Sequence, residues 1–241
     1  MGDIALFNGA INLTYTNVAT IFVDIAAMFF LLGMIPCTRV YRKRGRLSDR
    51  LFFAMILVDI AMAAGDALVD FFTQSTLTFT PPLAILGGSV MNISFGFMSL
   101  LLMLYLMCFL PSGEELVKKW YKVSLIPAVA TMILILINAF TGFLFYVDPL
   151  TGSYLHGPFY NLIAIELIIY ALVGLFILWK VNRLGIVLFI ILVATRLIME
   201  ALFVSVSSTP FVFAVVLVYC LVGSMNRSFH QVGAKPVKEK E

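Results

Sequence analysis

The chain alternates between long apolar stretches and short polar connections. Each apolar stretch has about 17 to 28 residues, and roughly 20 residues of helix cross the hydrocarbon of a bilayer. The pattern therefore predicts an all-α integral membrane protein, a bundle of seven transmembrane helices. We place the helices at about 14–38, 51–73, 83–110, 123–147, 159–179, 186–206 and 209–225, between an N-terminal arm at 1–13 and a polar tail at 226–241.

The basic residues predict the orientation of this bundle. Of the 16 Lys and Arg residues, all but Arg196 lie beside the inner ends of the helices, in the connections that follow helices 1, 3, 5 and 7. The N-terminal arm and the connections at about 74–82, 148–158 and 207–208 contain none. Because short cytoplasmic loops are enriched in Lys and Arg, we predict the N-terminus outside and the C-terminus in the cytoplasm.

Composition agrees with a membrane protein and narrows its chemistry. The chain is 62% hydrophobic with a mean hydropathy of +1.05, more apolar than a soluble domain allows. Its net charge of +3 lies in the inner loops, where it suits anionic lipid headgroups rather than nucleic acid.

The common catalytic and nucleotide-binding motifs are absent, and 209–225 has no Lys to carry a retinal Schiff base. We predict no enzyme, no cofactor and no metal site.

Seven charged side chains fall inside the predicted helices. Each costs roughly 2.5 to 3.5 kcal/mol there on insertion scales, so their presence needs a reason. On helix 2, the spacing of Asp59, Asp66 and Asp70 leaves the three within roughly 40° of one another on one stripe. That stripe must face protein or water. The other four charged residues are Asp24, Glu166, Arg196 and Glu200.

These charges predict a shared site in the outer half of the bundle, with Asp59 deeper than the rest. One Arg cannot neutralise six carboxylates, so some must be protonated, solvated by water or matched by a cationic ligand. A purely structural network, with Arg196 paired to Glu200 on one helix face, is the alternative. The candidate ligand-binding residues are Asp24, Asp66, Asp70, Glu166, Arg196 and Glu200, with Asn17, Thr20 and Asn92 from polar stripes that face the bundle and His156 from an outer loop.

Polar stripes on helices 3 and 4 have a simpler interpretation. Small and hydroxyl residues let membrane helices approach closely and form hydrogen bonds. We therefore expect these stripes to be ordinary interhelical contacts. They comprise Ser89, Asn92, Gly96 and Ser99 on helix 3 and Thr131, Asn138 and Thr141 on helix 4.

The connection between helices 4 and 5 is predicted to form a short hairpin over the outer end of the bundle. Asp148-Pro149 with Gly152 indicates a tight turn, and Gly157-Pro158 indicates the start of helix 5. Tyr146, Tyr154 and Tyr160 are expected to anchor at the outer membrane interface, with a pocket-lining role as the alternative. His156 is either a pH-responsive or ligand-touching group or a solvated loop residue.

This connection also carries a resemblance to a known family. The run Phe140-Thr141 to Phe145-Tyr146-x-Asp148, then Tyr154-x-His156-Gly157-Pro158-x-Tyr160, resembles the helix 4 to helix 5 segment of seven-helix N-terminal sensor modules. Those modules occur on bacterial, especially Firmicute, diguanylate cyclases and sensor histidine kinases. The family usually has a basic residue where this chain has His156. The resemblance implies a bacterial plasma-membrane sensor, but it does not transfer a ligand class.

We therefore expect a sensor that binds a small ligand from outside, with a cation as one candidate, and signals to a cytoplasmic partner, or that forms the sensory part of a larger receptor. A proton- or cation-coupled transporter or channel could use the same carboxylates as a relay. A scaffold without a ligand site is a third alternative. The sequence leaves the oligomeric state open, a homodimer included.

Overall fold

The computed structural model describes residues 4–6, 11–13, 15–42, 46–73, 80–148, 150–181, 209–210 and 212–218. Within them the chain is mostly helical, with two small antiparallel hairpins. The helices are α1 (Tyr15–Arg42), α2 (Leu47–Phe72), α3 (Thr80–Met107), α4 (Gly113–Thr141) and α5 (Asn161–Val181), and residues 212–218 are also helical. The strands are β1 (Ile4–Leu6), β2 (Ile11–Leu13), β3 (Phe145–Val147) and β4 (Tyr154–His156). The predicted helix at 186–206 lies outside the described residues.

Four of these helices are long and apolar enough to cross a membrane, namely α1 to α4. The apolar part of α5, Asn161–Ile177, is shorter. Large apolar side chains point outward from the bundle, as Phe140, Ile126 and Leu172 do. Such an exposed apolar surface requires lipid around it rather than water. The structure is therefore that of an all-helical bundle embedded in a membrane.

Helix α3 occupies the centre of the bundle, because it packs against α2, α4 and α5 and against strand β3. Its crossing with α2 is very close. A Cβ added at Gly65 of α2 would lie 2.7 Å from the backbone nitrogen of Met91, and one at Gly87 of α3 would lie 2.8 Å from the Gly65 carbonyl. Only glycine permits this approach, which fixes the depth of α2 relative to α3.

The apolar core lies on the side of this crossing nearer to the start of α2. Leu31 of α1, Met55 of α2 and Met98 of α3 are fully buried together with Leu217 of the segment at 212–218. That segment also contacts α3 through an edge-to-face ring pair between Phe213 and Phe95, with centroids 5.7 Å apart. The predicted seventh apolar stretch therefore packs, at residues 212–218, against the first three helices.

Helix α4 is the main correction to the predicted boundaries. It begins at Gly113, ten residues before the predicted start at 123, and it ends at Thr141 rather than 147. Glu114 and Glu115 occupy its first turn, where acidic side chains stabilise a helix N-terminus. At the other end Gly142 adopts a left-handed conformation with φ of 66°. The chain then leaves the helix, as is common at such a glycine.

Helices α4 and α5 are joined by a buried tyrosine. Pro127 lies inside α4 and has no backbone N–H to donate to the preceding turn. The Tyr170 hydroxyl of α5 donates to the Ser124 carbonyl at 2.6 Å and accepts from the Ala128 amide at 3.2 Å. One side chain thus bridges the turn that contains the proline and ties α5 to it.

Candidate functional site

Three carboxyl groups converge where α1 meets α2. Asp24 comes from α1, and Asp66 and Asp70 come from successive turns of α2. One carboxyl oxygen of each lies within 4.8 Å of those of the other two. The four-residue spacing places Asp66 and Asp70 on one face of α2, and the packing of α1 against that face brings Asp24 to them. We call Asp24, Asp66 and Asp70 the acidic cluster.

Asp24 is the most enclosed member of the acidic cluster. Its side chain is 0% exposed, and neither carboxyl oxygen has a hydrogen-bond partner among the described residues. Asp66 is 5% exposed, and Asp70 is partly exposed. Thr20, one turn before Asp24 on α1, is fully buried, and its side chain hydrogen-bonds to Asp70. Thr20 therefore lies next to the acidic cluster.

Asp59 extends the acidic stripe toward the start of α2. It is 0% exposed, and both of its carboxyl oxygens lack hydrogen-bond partners in the described part of the chain. It is an electrostatic neighbour of Asp24, but it is not one of the three acids whose oxygens converge.

Glu166 lies against α3 and not with the acidic cluster. It is 3% exposed, and its carboxyl group faces Gly96, where an added Cβ would be 2.8 Å from both carboxyl oxygens. The Thr131 side chain of α4 is its polar neighbour. The contact falls short of hydrogen-bond geometry, so both oxygens are buried without a partner in the described residues. The expectation that Glu166 shares one cavity with the Asp residues is not met by these contacts, because α3 occupies the position next to it.

The predicted hairpin between α4 and α5 is present as the pairing of β3 with β4, in which Tyr146 lies opposite Leu155. The end of the hairpin next to α4 is hydrogen-bonded to Asn138, a fully buried residue of α4. The Asn138 side chain accepts from the Leu144 amide at 2.6 Å and donates to the Phe145 carbonyl at 2.8 Å. The polar stripe of α4 predicted a contact between Asn138 and another helix. Asn138 instead holds the hairpin against α4.

The turn of this hairpin is organised by Asp148. Its carboxylate accepts from the Leu150 amide at 3.0 Å and from the Thr151 hydroxyl at 2.8 Å. These donors stabilise the charged form and hold the pKa of Asp148 below its usual range. Gly152 completes the turn with φ of 66°. The tight turn predicted here is thus present.

Tyr154 reaches from β4 down to α3, which corrects its expected role as an interface anchor. Its ring and hydroxyl contact the backbone of Gly88, and its hydroxyl lies 3.5 Å from Nδ2 of Asn92. Burial, with Tyr160 and Asp66 as acidic neighbours, raises the pKa of Tyr154, so the phenol stays neutral. The structure therefore places the Tyr154 side chain inward, against Gly88 and Asn92 of α3. Hydropathy and residue spacing do not show whether a tyrosine at the end of a hairpin points toward the helices or away from them.

Asn92 lies next to Tyr154 and is not one of the residues whose oxygens converge in the acidic cluster. The residue is 2% exposed, and its side-chain amide donates to the Gly88 carbonyl of its own helix at 2.8 Å. The Ser89 and Ser99 hydroxyls likewise bond to carbonyls of their own helix, at 2.8 and 3.0 Å. On α3 the polar stripe therefore mostly satisfies local backbone groups.

His156 is exposed at the end of β4. Its ring stacks on Tyr160, with centroids 3.6 Å apart and planes 7° from parallel, and meets the edge of Tyr154 at 6.1 Å. Partial burial lowers the pKa of His156, because desolvation disfavours the imidazolium. The histidine therefore belongs to the aromatic outer surface of the hairpin.

Three predicted site residues cannot be placed in this geometry. Arg196 and Glu200 lie outside the described residues, and of Asn17 only its position in the first turn of α1 is described.

The fold and the acidic cluster together define a membrane-embedded helical bundle with converging carboxyl groups at one end of its α1–α2 interface. Comparison with known proteins adds no relative: no family model, curated protein or solved structure matches the chain significantly.

Proposed function

We propose that the protein is a membrane sensor that binds a small cationic ligand from outside at the acidic cluster and signals to a cytoplasmic partner. The observation that carries this proposal is the convergence of Asp24 with Asp66 and Asp70, with Asp24 fully buried and lacking a hydrogen-bond partner in the described residues. The acids of two helices thus face one another rather than lipid.

Electrostatics supports a cationic ligand. Like charges a few ångströms apart repel strongly where water is excluded, so three carboxylates cannot all stay ionised there without compensation. A bound cation removes both the repulsion and part of the desolvation cost. Its binding would draw Asp24 of α1 toward Asp66 of α2, and this change in helix packing is the signal that we propose.

The proposed topology gives the ligand a short path from outside. With seven helices and the N-terminus outside, α2 ends at the outer surface with Phe72. At about 1.5 Å per residue, Asp70 lies about 3 Å and Asp66 about 9 Å below that end. The inner ends of the helices carry the Lys and Arg residues, where an acidic surface of a cytoplasmic protein could bind. The resemblance to bacterial sensor modules agrees with this arrangement.

The topology can be tested by cysteine labelling in a variant without Cys37, Cys108 and Cys220. Thr151 in the hairpin turn and Lys119 of α4 are both exposed. A membrane-impermeant maleimide added to intact cells should label Thr151→Cys and not Lys119→Cys. The reverse pattern would invert the orientation and remove the external ligand path.

Ligand binding is tested by thermal unfolding of the protein in nanodiscs with a panel of inorganic cations and small organic amines. At least one should raise the melting temperature, and Asp66→Asn and Glu200→Gln should abolish that rise. Asp148→Asn, which changes an exposed acid in the hairpin turn, is the matched control and should keep it. A panel without any stabilising cation would refute the proposal.

Transport is the rival function, and Asp59 is the observation that favours it. This buried acid continues the stripe of the acidic cluster inward, as a relay would require. Flux measurements on proteoliposomes separate the two functions. A sensor should show binding without flux, whereas cation or proton flux that Asp59→Asn abolishes would establish a carrier.

A further inference from the structure

We infer that the ligand of the acidic cluster is a hard divalent metal ion, coordinated by carboxyl oxygens of Asp24, Asp66 and Asp70. This inference rests on the proposed function and names its ligand class. The sequence motifs predicted no metal site, because the three residues come from two helices and match no metal-binding motif.

The spacing of the three carboxyl groups suits a single ion. Calcium and magnesium bind oxygen ligands at roughly 2.0 to 2.6 Å. Two ligands on opposite sides of such an ion are then roughly 4.0 to 5.2 Å apart, and neighbouring ligands are closer. The oxygens of Asp24, Asp66 and Asp70 lie within 4.8 Å of one another, so small movements of these side chains bring all three to one ion placed between them.

The ligand atoms select the type of metal. All three are carboxyl oxygens, which hard cations such as Ca²⁺, Mg²⁺ and Mn²⁺ prefer, whereas softer metals favour histidine or cysteine. His156 lies in the hairpin and stacks on Tyr160 instead. A divalent ion also offsets the charge of three carboxylates better than a monovalent ion does.

Asp24 is the independent sign that a ligand belongs between the helices. Asp66 and Asp70 alone would be two acids on one face of α2. Asp24 is directed at them from α1 although it is 0% exposed and has no hydrogen-bond partner in the described residues. A buried polar group without a partner is costly. Because Asp24 and Asp66 are so enclosed, a bare ion fits between them better than an organic ammonium.

The test uses Tb³⁺, a luminescent substitute for Ca²⁺ that nearby aromatic rings sensitise. Tyr154 is an electrostatic neighbour of Asp66 and can serve as that ring. Purified protein in nanodiscs of zwitterionic lipid is titrated with Tb³⁺, with empty nanodiscs as background. The bound Tb³⁺ is then displaced with Ca²⁺, Mg²⁺ and Mn²⁺ and, separately, with Na⁺ and choline. We expect a divalent ion to displace Tb³⁺, whereas Na⁺ and choline at equal concentration do not.

The variants show whether the acidic cluster is the site. Asp24→Asn and Asp66→Asn should each weaken divalent binding roughly tenfold or more, in line with losses at metal sites. Asp59→Asn, the matched buried acid outside the cluster, should leave affinity within about twofold. Since Asn carries no charge, Asp24→Asn should also raise the melting temperature without metal. That rise distinguishes a lost ligand from a misfolded protein.

The outcomes separate this inference from the proposed function. If choline or another amine stabilises the protein through Asp66 and divalent ions do not, the metal is wrong and the cationic sensor stands. If no cation binds in an Asp66-dependent way, both are wrong. If Asp24→Asn and Asp66→Asn bind Tb³⁺ as tightly as the control Asp59→Asn, the metal binds elsewhere on the protein and the inference is overturned.

Discussion

The ring of Tyr154 in the β3–β4 hairpin lies so close to Gly88 of α3 that a Cβ there would lie 2.8 Å from a ring carbon and 2.9 Å from the hydroxyl. Only a residue without a side chain permits this contact. The hydroxyl is held at 3.5 Å from Asn92 on the next turn and is an electrostatic neighbour of Asp66. The hairpin therefore packs onto α3.

Gly88→Ala should displace Tyr154 and loosen the hairpin. Overpacking of a buried contact typically costs about 1 to 3 kcal/mol, and here the hairpin can absorb the change by moving outward. Hydrogen exchange should become faster at residues 144–157 and stay unchanged in α4. Gly33→Ala is the control, because an added Cβ there meets nothing within 4 Å. Equal protection in both variants would show that Tyr154 does not depend on this contact.

Gly96→Ala should destabilise the protein through Glu166. The new methyl group would meet both carboxyl oxygens at 2.8 Å, so the buried carboxyl group must move from its present position. Glu166→Ala removes the obstacle, so the double variant should be more stable than the sum of the single effects predicts. A double-mutant cycle of unfolding free energies measures this, with an expected coupling of about 0.5 to 3 kcal/mol. Additive effects would mean that the two residues do not touch.

Tyr170→Phe should weaken the contact between α4 and α5. The change removes the hydroxyl that bridges the Ser124 carbonyl and the Ala128 amide and leaves these buried groups without that partner. We expect a loss of about 1 to 3 kcal/mol in unfolding free energy. Tyr121→Phe, at an exposed position of α4, should change stability by less than about 0.5 kcal/mol. Similar losses in the two variants would argue against the bridge.

Mild acid should open the hairpin through His156. Its pKa is lowered from 6.5 in the folded protein because burial disfavours the charged ring. The unfolded state therefore binds more protons just below pH 6.5, and the stacking of His156 on Tyr160 loses stability as the pH falls through that range. Above pH 7 the effect should vanish. Hydrogen exchange at residues 154–160 should show this dependence in the native protein and not in His156→Gln, and equal pH profiles would contradict it.

Much of the fold was predictable from hydropathy alone. Asp66 and Asp70 lie on one face because four residues make about one helical turn, and the hairpin follows from local turn chemistry at Asp148 and Gly152. Hydropathy does not reveal the start of α4, because its first turn is polar and contains Glu114 and Glu115. Capping and acidic first turns are better guides there than hydropathy.

The site was predictable only in part, because contacts between helices depend on packing. Asp24 and Thr20 belong with Asp70, as their stripe on α1 indicated. Glu166 has a similar predicted depth but lies next to Gly96, since depth along a helix does not determine which neighbour a side chain faces. The inward position of Tyr154 depends on a glycine distant in sequence, for which hydropathy gives no signal.

An anomalous difference map from crystals grown with Mn²⁺ tests the central claim most directly. The account predicts a peak between α1 and α2, at roughly 2.0 to 2.6 Å from oxygens of Asp24, Asp66 and Asp70, and no such peak in crystals of Asp24→Asn. Three carboxyl groups that point apart, or Mn²⁺ density found only elsewhere on the protein, would contradict it.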